Sequence, residues 1–301
     1  MRVESHQLPQ TRGGLFCRAM NRGKRSSHLL LLGDSIMESM GKSLLGLLGL
    51  WGGLPPKLRM DVNASADCPL CAHIKCDAAL SGASLDFQVT IEVATKVDGL
   101  TLGPGLLQQR AAAVAAKVAL ADVAVINFGA HYSNVDLPNV SAYQVFVDDL
   151  LSLASTLRNA SSESDGIVVW RSTPQGHPGC VMEGKGCRFG TSGRPHCPYL
   201  EPPRGSTALE EVNRHWSTCP ECLNQFNWHL FPSYDNVARE LLEPVGVRFL
   251  DVSIMSRGRP DAHTAVKHGQ GKFPPDCLHW ALPGVPDWWN ALLFGALLEC
   301  G

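Results

Sequence analysis

Short apolar runs alternate along this chain with longer stretches whose apolar residues recur every three or four positions. The apolar runs and one alternating run predict buried strands, and these lie at 28–32, 86–93, 121–128, 167–170 and 247–252. Helical periodicity predicts amphipathic helices at 36–48, 105–120, 141–158 and 233–244. Because strands and helices alternate, we predict an α/β fold with a mostly parallel sheet that is covered on both faces.

Two stretches do not follow this alternation. Residues 1–27 are polar and without periodicity, which predicts a disordered N-terminal arm before a domain at 28–301. Residues 172–224 are rich in glycine, proline, cysteine and histidine and have few apolar runs. A long unstructured loop inside a compact domain is uncommon unless it is functional or cross-linked. We therefore predict a cysteine-tied insertion near the functional face of the domain.

The C-terminal residues predict a last helix. Pro286 suits the first helical turn, because an N–H at that position has no partner within the helix. Apolar residues line one predicted side of this helix, namely Trp288, Trp289, Leu292, Leu293 and Ala296. We predict that both tryptophans belong to the core.

Length and charge narrow the class of protein. A chain of 301 residues, 45% of them hydrophobic, is long enough to bury a substantial core. Its formal net charge of −2 argues against a nucleic-acid-binding surface, since it offers no basic stripe for phosphates. No nucleic-acid partner is therefore expected.

Eleven cysteines indicate either disulfides or metal binding. Two pairs have zinc-knuckle spacing, Cys68 with Cys71 and Cys219 with Cys222. Disulfides are the preferred interpretation, with zinc as the alternative, and no metal site is assigned. An odd number of cysteines leaves one thiol over, and Cys17 in the predicted arm is the candidate.

Glycosylation sequons favour disulfides and a secreted or lumenal protein; they begin at Asn63, Asn139 and Asn159. The leucine-rich stretch 29–54 is interrupted by charged residues before it reaches membrane-spanning length. No signal peptide or anchor is recognised in this chain, so we expect membrane contact only through a tether that it does not show.

The candidate chemistry lies in two distant segments. Gly33-Asp34-Ser35 follows the first predicted strand, and Asp276-Cys277-Leu278-His279 precedes the last predicted helix. A serine hydroxyl needs a base to take its proton, and a histidine held by a carboxylate suits that task. Asp276 and His279 are three residues apart, so one turn presents both side chains on the same edge. Placing Ser35 at a helix N-terminus offers N–H groups to a developing oxyanion.

Several further stretches carry a family resemblance. They are Ile126 to Tyr132, Val169 to Pro174 with His177, Leu250 to Val252, Arg259 to His263, and Asp276 to Trp280 running on to Asn290. With Gly33-Asp34-Ser35-Ile36, they resemble the SGNH/GDSL superfamily and, within it, the PC-esterase group of plant trichome-birefringence-like polysaccharide O-acetyltransferases. The resemblance covers roughly residues 28–299 and identifies 28–301 as the catalytic domain.

The resemblance implies a three-layer α/β/α sandwich, a location in the Golgi lumen or secretory pathway, and acetyl transfer to glycan hydroxyls. By position, it implies that Ser35 carries the acetyl group, His279 acts as general base and Asp276 orients it. Asn127 and Gly82 are the candidate oxyanion donors beside the Ser35 backbone N–H.

The resemblance also suggests binding residues. Arg171 is a candidate for positioning a substrate or donor, with a structural ion pair as an equal alternative. His131 is a candidate for substrate binding, although it and His263 fit a supporting or core role better than a catalytic one. Near the C-terminus, Cys277 and Cys300 are a plausible disulfide that braces the catalytic segment.

Three functions are consistent with these residues. The first is an O-acetyltransferase that works through an acetyl-serine, with a carbohydrate acceptor, an acetyl donor of unknown identity and no bound cofactor. The second is an esterase with the same triad, in which water replaces the sugar. The third is a non-catalytic glycan-binding scaffold. It predicts the loss of a triad member, whereas all three candidates are present.

Overall fold

The computed structural model describes residues 8–49, 70–76, 86–97, 100–101, 103–133, 137, 139–161, 165–177, 227–264 and 276–299. Its helices are α1 (Leu8–Met20), α2 (Ser35–Leu47), α3 (Leu106–Ala119), α4 (Ala142–Ser161), α5 (Phe231–Leu242), α6 (Ser253–Arg257) and α7 (Val285–Leu298). Its strands are β1 (Ser26–Gly33), β2 (Leu70–Cys76), β3 (Phe87–Ala94), β4 (Lys96–Val97), β5 (Leu100–Thr101), β6 (Val123–Asn127), β7 (Ile167–Arg171), β8 (Arg248–Leu250), β9 (His263–Thr264) and β10 (Asp276–Trp280). Short 3₁₀ turns lie at Gly129–His131, Trp228–Leu230, Glu243–Val245 and Pro260–Ala262.

Six strands form the central sheet in the order β2-β3-β1-β6-β7-β8. Every neighbouring pair is parallel except β2 with β3. At the middle of the sheet, Leu29 of β1 pairs with Ile91 of β3 on one side and with Val123 of β6 on the other. All three side chains are fully buried, as expected for parallel strands that are covered on both faces.

The helices pack in two groups. One contains α1, α2 and α7, and the other contains α3, α4 and α5. Gly41 of α2 faces β3 so closely that a Cβ at this position would lie 2.5 Å from a methyl group of Val93. The predicted α/β fold with a mostly parallel sheet between helices is therefore confirmed.

The predicted disordered arm is wrong over the part of it that the structure describes. Residues 8–20 form α1, in which Phe16 and Met20 are fully buried. Phe16 packs edge-to-face on Phe294 of α7, with ring centroids 5.6 Å apart. The sequence gives little sign of this helix, because its stability comes from packing on a distant element rather than from local periodicity.

The assignment of Cys17 as the spare thiol is also wrong. Cys17 forms a disulfide with Cys76, and this bond ties α1 to the edge strand β2. Cys71 in β2 is disulfide-bonded as well, which favours bridges over zinc at that position. The remaining cysteines, including Cys300, fall outside the described residues or have undescribed side chains.

Two further expectations differ from the structure. The segment that carries Asp276 and His279 is strand β10, paired antiparallel with β9, rather than a turn. In α7, Trp289 is fully buried, whereas 63% of Trp288 is exposed, so only one of the two tryptophans belongs to the core. The apolar pattern of this segment does not reveal which of two adjacent tryptophan side chains points inward. Most of the predicted insertion 172–224 lies outside the described residues.

Candidate active site

Ser35 is the first residue of α2, and Asp34 alone separates it from the end of β1 at the carboxyl edge of the sheet. Asp34 caps this helix, since its Oδ1 accepts a hydrogen bond from the backbone N–H of Ile36 at 2.9 Å. Its Oδ2 accepts from the backbone N–H of Ala130 at 3.1 Å, in the 3₁₀ turn after β6. One buried carboxylate therefore fixes the turn that presents Ser35 and joins it to the neighbouring strand end.

Gly33 is required by close packing at the same turn. It lies opposite Asn127 in the β1–β6 register. A Cβ at residue 33 would lie 2.2 Å from the carbonyl oxygen of Asn127 and 2.9 Å from the Cβ of Met37. The strand and the helix could not both stay in place beside a larger residue. The glycine of the Gly33-Asp34-Ser35 motif is thus a packing requirement.

His279 lies beside Ser35 although 244 residues separate them in sequence. Its Nε2 is 2.7 Å from the Ser35 hydroxyl oxygen, and β10 supplies this contact by packing near the start of α2. A neutral imidazole accepts the hydroxyl proton in this arrangement, as a nucleophile and its base require. The predicted juxtaposition of the two segments is confirmed.

Asp276 begins β10, and its side chain lies outside the described part of the structure. The pairing of β9 with β10 shifts register between Asp276 and Trp280. Successive side chains of a regular strand alternate between faces, so such an irregularity changes which residues share a side. The proposed orienting role of Asp276 stays a prediction, and so does that of Gly82, which falls outside the described residues.

Asn127 has a different role from the predicted oxyanion donor. It is fully buried, and its Nδ2 donates to the carbonyl oxygen of Arg171 at 2.7 Å and to Oγ1 of Thr173 at 2.9 Å. Both hydrogens of the amide are therefore used to join the ends of β6 and β7. Its Oδ1 accepts from the Gly129 N–H and from Nη2 of Arg171, each at 3.2 Å. The sequence could not show this, because the bonds depend on the register between two strands.

Arg171 is buried beneath the strand ends instead of facing a ligand. It is fully inaccessible to solvent, and its guanidinium carbon lies 5.3 Å from the ring centroid of Trp289. Among the described residues, its Nε and Nη1 have no hydrogen-bond partner. Burial lowers the pKa of Arg171 to about 10, against the opposing pull of the Asp34 and Asp235 carboxylates. Arg171 is therefore a buried, charged residue that packs under the strand ends of the site.

Asp235 and His131 complete the surroundings of these strand ends. Asp235 of α5 accepts from the backbone N–H of Thr173 at 2.9 Å, and burial raises its pKa well above the usual value. His131 ends the 3₁₀ turn after β6 and is exposed, so its proposed contact with substrate stays a prediction.

A pair of buried histidines lies near His279; a supporting or core role was expected for His263, but not its contact with His177. The Nδ1 atom of His177 lies 2.6 Å from Nε2 of His263. The second ring nitrogen of His263, Nδ1, lies 3.0 Å from the backbone carbonyl oxygen of His279. These two histidines come from the loop after β7 and from β9, so only the folded chain shows that they meet.

Within the described parts of the chain, no three His, Cys, Asp or Glu residues are grouped so that they could hold a metal ion. The helices of the same parts include none that is long and apolar enough to cross a membrane.

Comparisons with known proteins identify the family of this chain. Residues 9–296 match the model of PC-Esterase, described as a GDSL/SGNH-like acyl-esterase family found in Pmr5 and Cas1p. The chain is 52% identical over 53 residues to protein trichome birefringence-like 42 of Arabidopsis thaliana, which is 18% of this chain and 15% of that protein. It is 38% identical over 85 residues to xylan O-acetyltransferase 2 of Oryza sativa subsp. japonica, or 24% of this chain and 17% of that protein.

The matched stretches thus span less than a fifth of these relatives, whereas the family model covers nearly the whole chain. With a serine at the start of α2, a histidine on its hydroxyl and a mostly parallel sheet between helices, the chain belongs to the PC-esterase family of GDSL/SGNH-like acyl-esterases.

Proposed function

We propose that this protein transfers an acetyl group from a donor to a hydroxyl group of a polysaccharide, through an acetyl ester on Ser35. The observation that carries the proposal is the 2.7 Å contact between the Ser35 hydroxyl and Nε2 of His279. Relatives named xylan O-acetyltransferase support a polysaccharide acceptor. The donor is an activated acetyl ester or thioester whose identity is open.

In the first half-reaction, His279 takes the proton of the Ser35 hydroxyl while its oxygen attacks the acetyl carbonyl carbon. A tetrahedral intermediate forms, and the donor's leaving group departs with the proton from His279. In the second half-reaction, a sugar hydroxyl gives its proton to His279 and attacks the acetyl-serine. The Ser35 oxygen then leaves and regains the proton, so the enzyme returns to its starting state.

The N-terminus of α2 supplies the positive end of a helix dipole to the oxyanion of both intermediates. We propose that the Ser35 N–H and Gly82 donate to this oxyanion and that Asp276 holds the second nitrogen of His279. The Cys17–Cys76 disulfide supports a location in an oxidising compartment such as the Golgi lumen or another part of the secretory pathway.

The nucleophile is tested by Ser35→Ala, assayed with 4-nitrophenyl acetate as donor. We expect turnover to fall on the order of 10⁴-fold while the circular dichroism spectrum is unchanged, because the variant lacks the attacking oxygen. Ser39→Ala is the matched control, since this residue lies one turn further along α2 and its hydroxyl donates to the Ser35 carbonyl oxygen at 3.1 Å. Retained activity in Ser35→Ala would contradict the proposed mechanism.

Hydrolysis is the second candidate, because the family model itself describes acyl-esterases. The two are separated by incubating the protein and the acetyl ester with and without xylan oligosaccharides. Transfer predicts acetylated oligosaccharide by mass spectrometry and faster donor consumption in its presence. Acetate release that sugars do not alter, with no acetylated product, supports the esterase instead.

A further inference from the structure

A chain of three hydrogen bonds connects the body of the protein to the strand that carries His279. Nε2 of His177 lies 2.8 Å from the backbone carbonyl oxygen of Arg257, at the end of α6. Nδ1 of His177 lies 2.6 Å from Nε2 of His263, and Nδ1 of His263 lies 3.0 Å from the carbonyl oxygen of His279. Both imidazoles are buried, at 6% and 7% exposure.

The two ends of this chain determine how many protons it holds. A carbonyl oxygen only accepts, so the ring nitrogens that face Arg257 and His279 must each carry a hydrogen. The bond between the two rings needs one more hydrogen. Three hydrogens on two imidazoles make one of the rings an imidazolium, so the pair as a whole carries a single positive charge. The 2.6 Å distance between the rings fits such a charge-assisted bond.

The surroundings place this charge on His263. Burial lowers the pKa of His177 to about 4, so this ring is the neutral partner and accepts at its Nδ1. The ring of His263 lies against the face of Trp280, with centroids 4.2 Å apart and planes 31° from parallel, which suits a cation.

The nearby charged groups act in both directions. At His177, the carboxylate of Asp261 favours a positive charge and the guanidinium of Arg257 opposes it. Asp261 is itself held by two hydrogen bonds from Arg259, at 2.8 and 2.9 Å. From β10, the Trp280 ring and the His279 carbonyl oxygen face the pair.

We propose that His263, as the charged member of the His177–His263 pair, is a positioning residue for His279. Its Nδ1–H holds the backbone of the very residue whose side chain faces Ser35, and His177 anchors it to the end of α6. The inference rests on the proposed function, because it assigns a task to the partners of the base. It also extends that function, since the position of the base depends on a proton that the pair holds.

Loss of this proton breaks the chain of bonds. A neutral pair has two hydrogens for three contacts, so a nitrogen lone pair faces the other ring, the Arg257 carbonyl oxygen or the His279 carbonyl oxygen. The last of these arrangements repels β10 and moves Nε2 of His279 from the Ser35 hydroxyl. Small displacements of a reacting group reduce rates strongly, on the order of 10²-fold for about 1 Å. We therefore expect an alkaline loss of kcat with little change in KM.

The kinetic test compares the pH profiles of the unmodified protein, His263→Asn and His263→Ala with an acetyl ester. Asn keeps an N–H close to the position of Nδ1 but does not titrate, so this variant should retain much of the activity and lose the alkaline limb. His263→Ala should lower kcat on the order of 10²-fold at unchanged KM. His73→Asn is the matched control, because this histidine lies on the edge strand β2 and bonds Thr90. Profiles of the His263 variants that match the control would overturn the proposal.

A second measurement does not depend on activity or on the folding of a variant. Nitrogen-15 NMR of the unmodified full chain, with histidine side chains labelled, reports which ring nitrogens carry hydrogen. We expect both nitrogens of His263 and only one of His177 to be protonated at neutral pH. One unprotonated nitrogen on His263 at that pH contradicts the inference, even if Ser35→Ala has already established the nucleophile. Conversely, if the protein shows no acetyl transfer but NMR finds a single positive charge on the pair, the proposed function is refuted and the protonation assigned to the pair still holds.

Discussion

At the scale of single residues, Gly33 limits what the nucleophile turn tolerates. The carbonyl oxygen of Asn127, 2.2 Å from where a Cβ would stand, belongs to the central sheet and cannot move aside alone. Gly33→Ala should therefore destabilise the protein by about 3 kcal/mol, at the upper end of the range for overpacking. It should also slow the reaction of Ser35 with an organophosphorus probe. Urea unfolding and probe labelling measure the two effects.

Gly46 offers a control for this substitution within the helix that follows. It is exposed on α2, and a Cβ there meets nothing within 4 Å. Gly46→Ala should stabilise the protein by roughly 0.5–1 kcal/mol, because alanine loses less conformational freedom in a helix. Equal stability of the two variants would show that the β1–β6 contact has more room than the structure gives it.

Whether the role of a residue can be predicted from the sequence depends on whether a local motif or a contact between distant segments determines that role. Ser35 and His279 were predictable, because each lies in a motif whose position relative to a strand or helix indicates its chemistry. Asn127 also lies in such a motif, yet its amide is used by Arg171 and Thr173. That role depends on which strand ends are neighbours, and no local pattern contains this information.

At the scale of elements, α1 depends on a cross-link that its own sequence does not show. The Cys17–Cys76 disulfide closes a segment with a sequence separation of 59 residues and attaches α1 to β2. Removing it frees that segment in the unfolded state, which the loop-entropy model sets at about 4 kcal/mol. Cys17→Ser with Cys76→Ser should lower the free energy of unfolding by this order.

Substitution is preferable to a reductant here, because Cys71 is also disulfide-bonded and would be reduced as well. Each single variant removes the same bond, so both should match the double variant in urea unfolding. A double variant that is as stable as the unmodified protein would mean that packing of Phe16 alone holds α1 in place.

Asp149 of α4 joins three elements through one buried carboxylate. It accepts from the backbone N–H groups of Gly105 and Gln108 at the start of α3, at 2.8 and 2.9 Å. It also accepts from the Tyr132 hydroxyl at 2.7 Å. A distant side chain thus caps a helix whose own cap residue, Gly105, supplies no side chain.

Asp149→Ala should cost roughly 2–4 kcal/mol, because it leaves the buried Tyr132 hydroxyl and two part-buried backbone N–H groups without their acceptor. Tyr132→Phe removes one of these donors, so the two changes combined should cost less than their sum in a double-mutant cycle. Asp148→Ala is the control, since this neighbour only accepts from Gln144 on the exposed face. A cost for Asp149→Ala no larger than that of Asp148→Ala would contradict the capping role.

At the scale of the whole molecule, the alternation of strands and helices predicted the sheet except for one of its two edge strands. The sequence marks β1, β6, β7 and the edge strand β8 as apolar runs, and β3 as an alternating run. The edge strand β2 has the sequence Leu-Cys-Ala-His-Ile-Lys-Cys, a mixed pattern whose pairing with β3 becomes visible only in the fold. The site forms because parallel strands bring their carboxyl ends, and the residues that follow, to one edge of the sheet.

The buried histidine pair also makes the stability of the whole fold depend on pH. His177 has its pKa lowered by burial to about 4, against about 6.5 in an unfolded chain. Between these values the unfolded state binds a proton that the native ring does not, so stability falls as pH falls through this window. From pH 6.5 to 5, the His177 contribution to the free energy of unfolding should decrease by roughly 1.5 kcal/mol.

This pH window separates His177 from the carboxylates whose pKa is lowered in the fold. Glu92, for example, bonds His28 and Lys117, which lowers its pKa, so its stabilising contribution is lost only at lower pH. His177→Gln removes the titrating ring and should be less sensitive to acid than the unmodified protein between pH 6.5 and 5, whatever its stability at neutral pH. The exposed His73→Asn should keep the full sensitivity. Urea unfolding at the two pH values measures both differences, and equal sensitivity of His177→Gln and the unmodified protein would show that burial does not hold His177 neutral.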